Sequence, residues 1–353
     1  MDWLSQYWFV LLVVAVLVGA GVARYYVSDR SRRGRPRHTG ERTIRVVGVG
    51  GAGGNAVDDM IDARVGGVDY IVVNTDGQFL DESLARRRIR IGDRVTRGLG
   101  AGGDPEVGRI AAEEDADAIR LALEGADLVF VTAGLGGGTG SGAGPVIAGT
   151  AKDLGAVTVG VVTLPFGFEG PPRRAIADGA IAAMLRSADT LLVIENDRAN
   201  DLVTDETSLR DAFRRVNQVL VEAVRGVADI MSMPGLVNVD FADVASIMRD
   251  GGMGLAGVGR AAGEGRAVAA AQAAISSPLL AHQIQGAKRI LLNVAAASSL
   301  TLHEVVQVAE TVRDAAGSNA KVVFGATFDD RMKDELSVTV IATQLGEGPA
   351  GPG

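Results

Sequence analysis

The sequence predicts an α/β protein built on a parallel sheet, and three observations carry that prediction. Residues 44–48, 70–74, 128–133, 157–162 and 190–194 are short apolar runs rich in β-branched residues, each followed by Gly, Asn or Asp and separated by helical patterning. These runs are nearly continuous in their apolar character, as strands covered by helices on both faces require. A chain of 353 residues, 47% hydrophobic and 22% charged, also has enough apolar material for a sizeable core and, at roughly 150 residues per domain, for about two domains.

Composition excludes several classes. The 48 glycines are about twice the usual share, yet they follow no G-X-Y period, so collagen is out and glycine-rich functional loops become the feature to seek. With no cysteine there are no disulfides, thiolate metal sites or Cys nucleophiles, and His38, His282 and His303 alone make a structural zinc site improbable. Seven of the 35 Lys+Arg and three of the 43 Asp+Glu lie in residues 1–42, which leaves 28 basic against 40 acidic residues in the rest. So acidic a body is a poor nucleic-acid binder, and no nucleic-acid partner is expected.

Taken in order, the chain opens with an uncharged run at residues 7–23, flanked by Trp3, Tyr7, Trp8, Tyr25 and Tyr26. As a helix it would extend about 26 Å, so residues 1–27 are expected to be a transmembrane anchor. Gly21 and Ala23 would also suit signal-peptide cleavage, but Asp2 precedes the run and Arg24, Arg30, Arg32, Arg33, Arg35, Arg37 and Arg42 follow it, the reverse of a signal peptide. That asymmetry predicts a single-pass protein of the cell membrane, with its N-terminus outside and its body cytoplasmic. Residues 28–42 read as a basic flexible tether, whose arginines are expected to attract anionic membrane lipids.

Residues 43–228 are expected to form a ligand-binding domain ending in a long central helix at about 208–227, with Phe213, Val216, Val219, Leu220, Val224 and Val227 at helical spacing. Helix-like stretches at 244–248 and 262–275, then apolar runs at 289–295, 321–326 and 337–342, predict a second, smaller α/β domain over 229–345. Residues 346–353 are expected to be a disordered Gly/Pro-rich tail.

Ligands of parallel sheets bind at the carboxyl ends of the strands, so the loops there carry the chemistry. The first reads VVGVGGAGGNAV, where Gly48, Gly50 and Gly53 satisfy G-x-G-x-x-G, and Asp76 lies 23 residues beyond Gly53. Alone this is a weak dinucleotide signal, which would suggest an NAD-dependent oxidoreductase. The second loop is denser, with seven of the eleven positions from Gly134 to Gly144 being glycine. Such density suits a cradle of backbone N–H groups around a di- or triphosphate, with Thr139 and Ser141 adding hydroxyls. No Lys stands where a Walker A loop needs one, so neutralisation falls to backbone dipoles and Mg²⁺, with no metal ligand assigned to the protein.

This second loop resembles the phosphate signature of the tubulin/FtsZ family. The resemblance extends over residues 44–343 through VNTD (73–76), TRGLGAGGDPEVG (96–108), PFGFEG (165–170), NDR (196–198), NVDFAD (238–243) and SSPLL (276–280). It implies a tubulin/FtsZ-like GTPase domain, a central helix and a smaller C-terminal activation domain. GTP or GDP with Mg²⁺ would be bound by Gly50, Gly51, Ala52, Asn55 and Asn74. Ala101, Gly102 and Gly103 would lie near the γ-phosphate; Gly134, Gly136, Gly137, Gly138, Thr139, Gly140 and Ser141 would cradle the phosphates. Glu169 and Arg173 would neighbour the ribose and phosphates, Phe213 would stack on the base, and Asn217 would read the guanine edge.

Asn238, Asp240 and Asp243 are the catalytic candidates. Two acids three positions apart at a helix start can share a face, and the plain reading is an N-cap plus a first-turn acid. The resemblance implies more: a loop that polarises the water attacking the next subunit's nucleotide. It therefore implies head-to-tail self-association into filaments, a role in cell division at the division site, and a second homologue as candidate partner. A weakly hydrolysing GTP-binding membrane scaffold is the alternative. The chain stops soon after its last predicted strand, so the C-terminal linker and partner-binding peptide usual in the family are expected to be replaced by the N-terminal span. Pro171 and Pro172 beside Glu169, and Ala295-Ala296-Ala297, depart from the family pattern.

Overall fold

The computed structural model describes residues 42–198, 208–232, 235–237, 239–277, 284–317 and 319–345. The expected anchor (1–27), the tether up to residue 41, Asn238 and the expected tail (346–353) lie outside the described residues. Among the described residues no helix is long and apolar enough to cross a membrane. Their apolar runs are strands, and the 24-residue helix Leu209–Ser232 carries seven charged residues and an apolar stripe. The expected single-pass membrane localisation is corrected accordingly.

The strands are β1 (Ile44–Val49), β2 (Val68–Asn74), β3 (Arg87–Arg90), β4 (Leu128–Gly134), β5 (Val157–Leu164), β6 (Thr190–Glu195), β7 (Gly235–Val237), β8 (Gly252–Ala262), β9 (Arg289–Ala296), β10 (Lys321–Phe328) and β11 (Glu335–Thr343). The helices are α1 (Gly50–Asp62), α2 (Gly77–Glu82), α3 (Asp93–Thr96), α4 (Pro105–Glu114), α5 (Ala116–Leu123), α6 (Gly138–Asp153), α7 (Pro171–Ser187), α8 (Leu209–Ser232), α9 (Phe241–Met248), α10 (Arg266–Ile275) and α11 (Leu302–Ala316).

All strands join in one sheet, ordered β3-β2-β1-β4-β5-β6-β8-β11-β9-β10-β7. The first six are mutually parallel. A short parallel pairing of Thr190–Leu192 with Gly252–Gly254 joins them to the second half, where β11 runs antiparallel to both β8 and β9.

The alternation of side chains along a strand divides the core. In β1, Ile44 and Val46 pack with α1, α8 and α9 residues such as Val57, Val224 and Ile247, whereas Val47 and Val49 pack on the other face with α4–α7 residues such as Ala111, Ile147 and Met184. A third cluster gathers α10 and α11 on β9 and β11 through Ala270, Val308, Leu292 and Val338.

Several elements differ from expectation. The central helix runs to Ser232 because Ala228 and Ile230 continue its buried stripe. Strand β8 was hidden by its glycines; a Cβ on Gly259 would collide with the Ala270 carbonyl and the Ala274 amide, so glycine there lets α10 lie close against the strand. Strand β3 is a short arginine-rich edge, whose charge blunts edge-to-edge pairing and masks its strand pattern.

Candidate functional site

A cleft of about 320 Å³ opens at the carboxyl ends of β1, β4 and β5. Two helices begin at its wall, α1 at Gly50 and α6 at Gly138, and neither N-cap residue (Val49, Gly137) supplies a capping side chain. Their first-turn N–H groups are thus left for a ligand, and the dipoles of both helices favour an anion.

The two glycine loops touch. Gly50 has φ +72°, and a Cβ on it would lie 3.0 Å from the Gly140 amide nitrogen, so the position requires glycine for both conformation and clearance. Gly51, Ala52, Gly134, Gly137, Gly138 and Thr139 also line the cleft. Behind them the 101–104 loop closes in, since a Cβ on Gly138 would lie 2.8 Å from the Ala101 methyl group and the Asp104 carbonyl. The Thr139 hydroxyl is 2.7 Å from that of Thr75.

Some expected residues stand elsewhere. Ser141 does not line the cleft; its buried hydroxyl accepts a 2.9 Å bond from the Gly136 N–H and so holds the loop's shape. Asn74 is buried, and its side-chain Oδ1 accepts from the Asp76 N–H at 3.2 Å, a turn-forming role. Asp76 in turn caps α2 by accepting from Gln78 and Phe79. Asn55, Ala101, Gly102, Gly103 and Gly136 are also outside the cleft lining.

Among the described residues the charged lining is one pair, in which Arg173 donates to Glu169 at 2.6 Å, while Glu169 also accepts from the Phe166 N–H at 2.9 Å. With that cation already paired, the described lining would meet a polyphosphate mainly with backbone dipoles. Among the described residues no group of three or more His, Asp or Glu is placed to hold a metal ion.

The far end of the cleft is aromatic and amide-lined. Phe213 is 40% exposed and stands edge-on to Phe166 at 5.1 Å. Asn217, one turn on, donates from Nδ2 to Asp59 Oδ2 at 2.7 Å. Sequence reasoning quoted the NDR run but missed Asn196 as a site residue. It is buried at the end of β6, lines the cleft, and its Oδ1 has no partner among the described residues. Its place just after an apolar strand was the signal available.

Asp240 and Asp243 lie away from this cleft, at the start of α9. Asp240 caps the helix, its Oδ1 accepting from the Asp243 N–H at 2.8 Å. The plain reading of Asp240 therefore holds, and the Asp243 side chain is exposed without a bond or ion pair to any described residue.

The tubulin/FtsZ family GTPase domain matches residues 43–204, and the FtsZ family C-terminal domain matches residues 252–346. Among solved structures, an empty FtsZ dimer from M. jannaschii is 41% identical at a TM-score of 0.82, covering 86% of this chain and 88% of that one. A mutant FtsZ from the same organism is 40% identical at a TM-score of 0.83, covering 86% and 92%. CetZ2 from Haloferax volcanii, in a GTPgS-bound protofilament, is 23% identical at a TM-score of 0.75, covering 87% and 94%, a likeness of fold.

Proposed function

The chain belongs to the tubulin/FtsZ family, and we propose that it is a GTPase that stacks head to tail, the acidic loop of one subunit completing the nucleotide site of the next. One observation carries this reading. Two uncapped helix N-termini and two touching glycine loops form a phosphate cradle in each subunit, while the exposed carboxylate of Asp243, bonded to no described residue, stands outside that cradle.

In this reading the backbone amides of Gly50–Ala52 and Gly137–Gly140 hold the phosphates, Phe213 stacks on the base, and the amides of Asn217 and Asn196 meet the guanine edge. Asp243 of the neighbour orients a water and draws on its proton. The water oxygen bonds to the γ-phosphorus, the bond to the β,γ-bridging oxygen breaks, and GDP and inorganic phosphate leave. Such chemistry rests mainly on positioning and electrostatics. Mg²⁺ would be held mainly by the nucleotide's own oxygens, with the Thr139 hydroxyl on the cleft lining a protein oxygen of suitable chemistry, and it would supply charge neutralisation when bound. We assign the filament to cell division, which the family resemblance supports.

The test is sedimentation of the protein with GTP, GDP or ATP, with phosphate release measured in parallel. Polymer that pellets with GTP and disperses as phosphate is released is the expected result. GTP binding with neither polymer nor phosphate release contradicts the reading.

A further inference from the structure

We propose that Asp59 is a positioning residue that sets the base specificity of the cleft by fixing the orientation of the Asn217 amide; this rests on the guanine reading of Asn217. Asp59 lies on α1, outside the cleft lining, and its Oδ2 accepts from Asn217 Nδ2 at 2.7 Å across 158 positions of sequence.

An amide can present either of two faces to a base. Its two ends are almost the same size, one accepting and one donating. With Oδ1 toward the cleft, Asn217 accepts from the ring N–H and exocyclic amine of guanine. With Nδ2 toward the cleft, it donates to the bare ring nitrogen of adenine. An ionised carboxylate only accepts, so Asp59 can hold only the N–H end and leaves the carbonyl for the ligand.

The scaffold keeps the pair in register. Eight residues further along α8, about two turns, Arg225 donates to the Ala63 carbonyl at the end of α1 at 2.9 Å. The same arginine is held by Glu222 at 2.8 Å. Two bonds at separate heights thus lock α8 against α1, and Val216 and Val224 pack with Val57 and Met60 between them. Asp59 therefore discriminates without touching the base.

The experiment titrates the full chain with GTP and with ATP by calorimetry, with thermal melts to verify folding. The wild type is expected to favour GTP. Asp59→Ala frees the amide to turn, and the preference for GTP over ATP should fall by about tenfold or more. Asn217→Asp sets two carboxylates face to face and should weaken GTP binding by about tenfold or more. Adding Asp59→Asn to Asn217→Asp restores one donor and one acceptor with the roles exchanged. GTP affinity should then return to within about threefold of wild type, with the preference for GTP restored.

A purely structural role would weaken GTP and ATP together and give no rescue by the exchange, and that result overturns the proposal. So does an Asp59→Ala preference within about twofold of wild type. Equal affinity of the wild type for GTP and ATP overturns the guanine reading itself and this inference with it, and it is seen before any substitution is made.

Discussion

The cleft at the ends of β1 and β4 is assembled from backbone, whereas the start of α9 offers two exposed carboxylates. Around the cleft, three side-chain bonds are made within one chain: Ser141 holds Gly136, Glu169 holds Arg173, and Asp59 holds Asn217. At α9, Asp240 is spent on its own helix, and the Asp243 side chain has no partner among the described residues. A group bonded within its own chain can bind a ligand alone. A carboxylate left outside needs something else to act on, and in the proposed reading the difference separates binding from turnover.

The sharpest way to break that separation is Asp243→Ala. Loss of one group acting at the transition state should cost about 10²–10³ in GTP hydrolysis, while affinity for GTP stays within about twofold. Parallel phosphate-release and calorimetric measurements check this, and an equal fall in both would merge the two regions.

Next is the cradle itself. Gly50→Ala forces a left-handed residue against Gly140 and should weaken GTP binding by about tenfold or more, from a strain of ~1–2 kcal/mol plus lost clearance. A similar loss is expected at the base end, where Asn217→Leu leaves polar base edges unpaired at ~1–3 kcal/mol, again in binding rather than in the rate per bound nucleotide.

The smallest effect lies outside both regions. Asp229 on α8 lines a second cleft with Arg225, Arg331 and Asp329, and burial pushes its pKa up to about 6 from 3.8. Because the folded value is the higher, this carboxyl favours folding below pH 3.8, and that contribution is lost as pH rises through 6. Asp229→Asn should therefore raise stability at pH 7.5 by ~1–2 kcal/mol, and the gap should close toward pH 4 in thermal melts.

Much of this comparison was legible in the sequence, because it rests on local pattern. Runs of Val and Ile marked β1, β2, β4, β5 and β6, glycine density marked the loop before α6, and the spacing of Phe213 and Asn217 placed both on one helix. What tertiary packing decides was hidden. Ser141 and Asn74 have the right chemistry for a ligand but turn to nearby backbone, a choice that composition cannot show. Asp59 became visible only when α1 was brought beside α8. Strand β8 was masked because its glycines answer to α10, which follows it in the chain.

The measurement that bears most directly on a shared site is mixing. Asp243→Ala, with an intact cradle, is combined with Gly138→Trp, whose bulk at the Ala101 and Asp104 contact blocks the cradle but leaves the acidic loop intact. Each should be inactive alone. The account predicts that the mixture recovers part of the GTP hydrolysis and that the recovery rises with total protein concentration, as junctions form between an intact loop and an intact cradle. Full hydrolysis by Asp243→Ala alone, independent of concentration, would contradict it and leave the acidic pair as a helix cap.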